Sequence, residues 1–216
     1  MHDDLLISNP PTTPGLHWWW YGAIICLSAV LLGDFLAIVA KQLGVPNFLV
    51  DVSRLAGTAL FLWVFRQTHP TDPPLWGLPR FRHLLGFGFL CWLLRLFWTN
   101  GLLFPEFECA ENRHSLSGSK PYFFWLTVVV APVFEEVFFR FFLLRAFPYA
   151  RSFNWALFSV IFTSLLFSAV HIHYSCAVSF ISLFLMGVLF AYARILSGGL
   201  ALPVLLHAAF NASAFI

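Results

Sequence analysis

From Pro121 to Phe147 the chain reads PYFFWLTVVVAPVFEEVFFRFFLLRAF. This is an apolar run long enough to span a bilayer, with two adjacent carboxylates, Glu135 and Glu136, in its middle. A charge near the bilayer centre costs at least about 2.5 kcal/mol, and neighbouring carboxylates also repel each other. Such a pair does not face lipid. It faces a protein interior or a water-filled cavity, and the rest of the chain has to supply it.

The run has company. Of 216 residues, 60% are hydrophobic and 10% charged, where a soluble domain carries about 25% charged residues. One soluble core of this size cannot hide that much apolar surface, so lipid is the solvent. Seven segments, at about 18–39, 48–65, 84–104, 122–144, 155–170, 175–195 and 200–216, match or approach the length of a span. The expectation is an all-α, polytopic integral membrane helical bundle of about seven transmembrane helices. It forms a single membrane domain over 1–216, with three spans and their loops in 1–120 and the charged motifs in 121–216.

The connections agree. HPTDPPLWGLPR carries four prolines in twelve residues and reads as an exposed loop. PEFECAENRHSLSGSK is polar and acidic. The N-terminus lacks the basic region of a signal peptide, so the first span is expected to be retained. Arg66, Arg80, Arg82, Arg145, Arg151 and Arg194 fall on one side of the membrane, and Lys41, Arg113 and Lys120 on the other. That imbalance predicts a cytoplasmic N-terminus. A net charge of +2 with no Lys/Arg run argues against nucleic acid. Cys26, Cys91, Cys109 and Cys176 show neither metal spacing nor a disulfide framework. Three of them lie in apolar stretches and read as small core residues.

Three polar motifs sit on three separate C-terminal spans. The first is Glu135-Glu136-x-x-x-Arg140. On a helix, Glu136 and Arg140 share a face and can pair. Glu135 is rotated about 100° away and can point into a cavity as a general base. Pro132 can kink the helix and open room there. An ion pair that only locks packing is the plainer alternative. The second motif is Phe167-x-x-x-His171, at the end of its span, with His173 close by. Alone, a histidine there reads more simply as an interfacial residue. The third is His207-x-x-x-Asn211, again one helical turn apart. Its two side chains can present donors to one point, as an oxyanion hole does, or can serve as hydrogen bonds between helices. Asp34, Asp51, Arg54, Arg95 and Asn100 are the other polar residues within predicted spans. Asp51 and Arg54 are spaced to pair with each other.

The order EExxxR, FxxxH, HxxxN on successive spans resembles the CPBP family of intramembrane proteases, which includes CAAX prenyl endopeptidases and bacteriocin-processing (Abi) proteins. The resemblance covers roughly Tyr122 to Phe215. It implies a CPBP-like catalytic core in 121–216 and a glutamic-type endopeptidase. Glu135 and His171 would activate a water, and His207 and Asn211 would hold the oxyanion. Glu136 and Arg140 would support them. No cofactor is implied. The alternative is a zinc enzyme with His171, His207 and Glu135 as ligands, although no HExxH motif is present.

The expected partners are a membrane-tethered peptide or protein substrate and the lipid bilayer, with no nucleic acid. The substrate classes are prenylated C-termini, bacteriocin leaders and C-terminal sorting helices. The expected location is a bacterial inner membrane. A non-catalytic scaffold or immunity protein and a proton-coupled transporter are the competing classes, but no inverted repeat supports the transporter. One tension is left. By helical rise, Glu135 lies about 20 Å below the start of its span, yet His171 stands at a span end. A shared site requires the fifth span to tilt or stop within the membrane.

Overall fold

The computed structural model describes residues 75–100, 121–171, 174 and 176–215, with isolated positions between 20 and 63. The first two predicted spans, Asp34, Asp51, Arg54 and His173 lie outside the described residues.

Among the described residues every regular element is helical. Helix α1 covers Phe81–Asn100. A composite helix follows over 121–146. It comprises α2 (Pro121–Trp125), a π-helical stretch (Leu126–Val130), α3 (Ala131–Glu136), a second π-helical stretch (Val137–Leu143) and a 3₁₀ turn (Leu144–Ala146). Then come α4 (Phe153–Ala169), α5 (Ala177–Ser197), α6 (Ala201–Ala212) and a final 3₁₀ turn, Ser213–Phe215. Five of the seven predicted segments thus appear as helices close to their expected bounds. Among the described residues, Phe81–Trp98 and Ala177–Ser197 are long and apolar enough to cross a membrane, while Phe153–Ala169 and Ala201–Phe215 are shorter. The count of seven spans is therefore not reached by the described residues.

Local sequence explains the ends. Ser152 caps α4 by accepting from the Trp155 amide at 3.3 Å. Helix α5 stops at Gly198, whose φ of 68° is a left-handed cap that glycine tolerates. A side chain on neighbouring Gly199 would collide with the backbone of Trp76 and Gly77. That close crossing lets the amides of Leu200 and Ala201 donate to the carbonyls of Leu75 and Trp76, both at 2.9 Å. The loop before α1 is thereby pinned to the α5–α6 corner.

Packing is of the membrane kind. Helices α4 and α5 meet through small residues, with Ser159, Ser164, Ser168, Ser179, Ser182 and Ala191 buried between helices. A Cβ on Gly187 would stand 2.9 Å from Ser164 Cα, so only glycine permits this approach. Three of these hydroxyls donate to backbone carbonyls, Ser159 to Trp155 at 2.6 Å, Ser164 to Val160 at 2.6 Å and Ser168 to Phe180 at 2.8 Å. Other large apolar side chains point outward, while Phe167, Met186 and Phe190 are buried. Phe153, Leu165, Val170 and Ile181 are exposed, as lipid-facing residues are. Buried Cys91 is free, in line with a core role. Cys176 is disulfide-bonded, which its sequence spacing did not announce.

Candidate active site

The two glutamates lie between the two π-helical stretches. Pro132, in the first turn of α3, has no amide proton for the ladder. The π stretch over Leu126–Val130 absorbs that break immediately upstream. The expected kink at Pro132 is therefore realised as a change of helical type.

The adjacent carboxylates enter different environments. Glu136 is fully buried, whereas the Glu135 side chain is 24% exposed. Glu136 Oε2 lies 3.2 Å from Arg140 Nε, the pairing expected from the i,i+4 spacing. The contact is an ion pair without hydrogen-bond alignment, since Oε2 has no hydrogen-bond partner. The guanidinium is instead enclosed by rings. Phe167 is 4.5 Å from it, Phe190 5.5 Å and Phe139 5.6 Å, and Arg140 Nη2 donates to the Gly187 carbonyl at 3.4 Å.

Glu136 has a second partner that the spacing could not reveal. Its Oε1 accepts from His207 Nδ1 at 2.9 Å, across 71 residues. Helix α6 delivers His207, and Phe190 of α5 stacks on the imidazole at 5.0 Å. With Nδ1 donating to a carboxylate, the other nitrogen of His207 faces Glu135. His207 Nε2 stands 3.9 Å from Glu135 Oε2.

His171 arrives from the other side. Helix α4 ends at Ala169, and His171 occupies the turn that follows, 3.9 Å from Glu135 Oε2 through its Nε2. The fifth predicted span therefore stops at the depth of the glutamates, which resolves the tension between helical rise and a shared site. A carbonyl can only accept, so the 2.7 Å contact between His171 Nδ1 and Phe167 O fixes Nδ1–H as donor. In a neutral ring, Nε2 then presents its lone pair to Glu135. Phe167 packs on both histidines, at 4.9 Å from His171 and 5.9 Å from His207.

Five of the six expected site residues thus meet: Glu135, Glu136, Arg140, His171 and His207. Asn211 follows a different course. It lies one turn beyond His207 on α6, and its Nδ2 donates to Thr127 O in the first π stretch at 2.9 Å. One of its two amide protons is therefore committed to fastening α6 to the glutamate-bearing helix. Sequence reasoning missed Phe190 and Thr127. Among 27 phenylalanines nothing distinguishes Phe190, and Thr127 acts through its carbonyl, which any residue would supply. Among the described residues no three His, Cys, Asp or Glu side chains are gathered closely enough to hold a metal ion. Glu135 comes within 3.9 Å of each histidine, but the three do not close around one point.

Comparison with known proteins points the same way. An uncharacterized 24.3 kDa protein of Escherichia coli is 42% identical over 80 residues, covering 37% of this chain and 36% of that protein. The aligned part is thus about a third of that relative's length. No solved structure matches the chain. Residues 117–213, which hold Glu135, Glu136, Arg140, His171, His207 and Asn211, match the protease family described as Type II CAAX prenyl endopeptidase Rce1-like, of the CPBP group.

Proposed function

We propose that this chain is an intramembrane endopeptidase that hydrolyses a peptide bond of a membrane-tethered substrate, with Glu135 as the general base. The observation that carries this reading is the approach of Glu135 Oε2 to both histidine Nε2 atoms at 3.9 Å. A single bridging water spans such a gap with contacts of about 2.7–3.0 Å to each side.

The chemistry follows from the tautomers. His171, fixed by Phe167 O, accepts one hydrogen of the water and orients it. Glu135 takes the other proton as the oxygen attacks the scissile carbonyl carbon. The carbonyl π pair moves onto oxygen. His207 can donate to that oxyanion through Nε2 only as an imidazolium, because Nδ1–H is already given to Glu136. The buried carboxylate of Glu136 holds that charge in place. The remaining amide proton of Asn211 is a second donor. Collapse of the intermediate breaks the C–N bond, and Glu135 passes its proton to the leaving nitrogen. The products are a carboxylic acid and an amine, and the acid then gives its proton to the amine or to solvent.

The substrate is a prenylated C-terminus, a bacteriocin leader or a C-terminal sorting helix presented at a bacterial inner membrane. Zinc held by His171, His207 and Glu135 is the second reading; each histidine Nε2 approaches Glu135 Oε2 at 3.9 Å, although the three do not gather around one point. The test is mass spectrometry of new protein termini in membranes of a host lacking this protein, complemented with wild type or Glu135→Gln. Termini made only by wild type establish proteolysis and name the substrate. Identical profiles at equal expression would reject it.

A further inference from the structure

Helix α5 is long and apolar enough to cross a membrane, and its two ends differ in chemistry. Cys176, at its N-cap, is disulfide-bonded. Arg194 lies in its last turn. Contacts along α5 show what else belongs to each end. Gly187 O accepts from Arg140 Nη2, and Ala191 clusters with Leu144 and Val160. The composite helix therefore runs parallel to α5. Ser168 Oγ donates to Phe180 O and Ser164 faces Gly187, so α4 runs antiparallel to both.

The arginines collect at one end. Arg145 closes the composite helix and Arg151 stands just before α4. The carbonyls of Leu75 and Trp76 hold the α5–α6 corner, which brings Arg80 and Arg82, at the start of α1, to the same end. Of the other described arginines, Arg140 is at mid-helix. Arg95 is toward the opposite end, where its Nη2 donates to Ser213 O at 3.3 Å. An excess of Arg at the helix ends marks the cytoplasmic face. Disulfides persist in oxidising compartments and are rare in the cytoplasm, so the Cys176 end faces away from it. One criterion is charge and the other is thiol chemistry, and they agree.

The catalytic residues lie nearer the cysteine end. Gly187, level with Arg140, is eleven residues from Cys176 along α5, about 16 Å of rise. Glu135 is five residues from Arg140 toward that same end, about 7 Å. About 9 Å of depth then separates Glu135 from Cys176, against about 17 Å from Arg194. His171 belongs to the same turn as Cys176 and meets Glu135 at 3.9 Å. That turn is closed by the Tyr174 amide donating to the His171 carbonyl at 3.1 Å.

We propose that the active site is entered from the non-cytoplasmic side of the membrane, and that its substrate is a tethered segment of an exported protein, a leader or a C-terminal sorting helix. The proposal rests on the reading of Glu135 as general base. A prenylated C-terminus keeps its peptide at the cytoplasmic face, on the arginine side of the helices and about 17 Å of depth from Glu135.

The test starts with the full chain carrying a C-terminal reporter in a bacterial host. Helix α6 returns from the arginine end to Asn211, so the C-terminus reports the catalytic end. Alkaline phosphatase, which folds only outside the cytoplasm, should be active there, and green fluorescent protein should stay dark. Inactive phosphatase with bright fluorescence would overturn the proposal. Alkylation of Cys176 in denatured membranes is expected only after reduction, and labelling without it would also overturn the proposal. The substrate side is read from the termini that wild type makes and Glu135→Gln does not. These should lie in exported segments. Glu135-dependent cleavage of a prenylated cytoplasmic C-terminus would overturn this proposal and leave Glu135 as the base. No Glu135-dependent termini at all would overturn both.

Discussion

His207 Nδ1 lies 2.9 Å from Glu136 Oε1, and both side chains are buried. Glu136 therefore joins two cations-in-waiting, the guanidinium of Arg140 and the imidazole of His207. Removing its charge strands both. Glu136→Gln is expected to destabilise the protein by about 3–5 kcal/mol, as loss of one partner of a buried pair does. Cleavage by the folded fraction should fall as well. Thermal unfolding in detergent beside a cleavage assay checks both. A stable, fully active variant would show that neither cation depends on Glu136.

Glu135→Gln should behave in the opposite way. Its side chain is part exposed and not the ion-pair partner of Arg140, so the fold should survive. The loss of a general base should lower kcat by at least about 10²–10⁴-fold. His171→Ala should lose cleavage too, but it also removes the ring that caps Phe167 O. A lower Tm is expected for His171→Ala and an unchanged one for Glu135→Gln. Wild-type turnover by either would reject the assignment.

Asn211 tests the oxyanion reading. Loss of one donor costs about 2.7–4 kcal/mol of transition-state stabilisation, or about 10²–10³ in kcat. Asn211→Ala should show that loss with little change in KM. If it lowers Tm and leaves kcat intact, the amide serves only to tie α6 to Thr127.

Gly187 is set by the α4–α5 contact. Gly187→Val would drive a side chain into Ser164 and move the carbonyl that Arg140 holds. Overpacking of this kind costs about 1–3 kcal/mol. A lower Tm and reduced cleavage are expected together. A variant with wild-type Tm would show that the helices can separate freely.

Metal dependence is settled by chelation. Cleavage is expected to persist after treatment with a zinc chelator. Loss of activity restored by added zinc would transfer His171, His207 and Glu135 from water activation to metal ligation.

The motifs were legible because intramembrane charge is expensive. In a chain so apolar, the few ionisable groups stand out, and helical spacing alone paired Glu136 with Arg140. Five helices were readable from apolar run lengths. What spacing could not supply was anything set by tertiary approach. The Glu136–His207 contact spans 71 residues. The commitment of Asn211 to Thr127 depends on how α6 leans on the π stretch. The early stop of α4 was expected only as one way to let Glu135 and His171 meet. The disulfide of Cys176 escaped for a similar reason, since pairing follows approach in space and not interval along the chain.

The π-helical stretches on either side of the glutamate pair have a genetic consequence. Each spends more residues per turn than an α-helix does. The wider winding takes up one extra residue locally, so the flanks keep nearly the register of an unbroken α-helix. Deleting one codon within Leu126–Val130 would return that stretch to α-helical winding and leave the glutamates facing as before. Deleting two would not be absorbed and would swing the flanks by about 100° relative to each other. Single-residue length changes here are therefore expected to be tolerated where double ones are not.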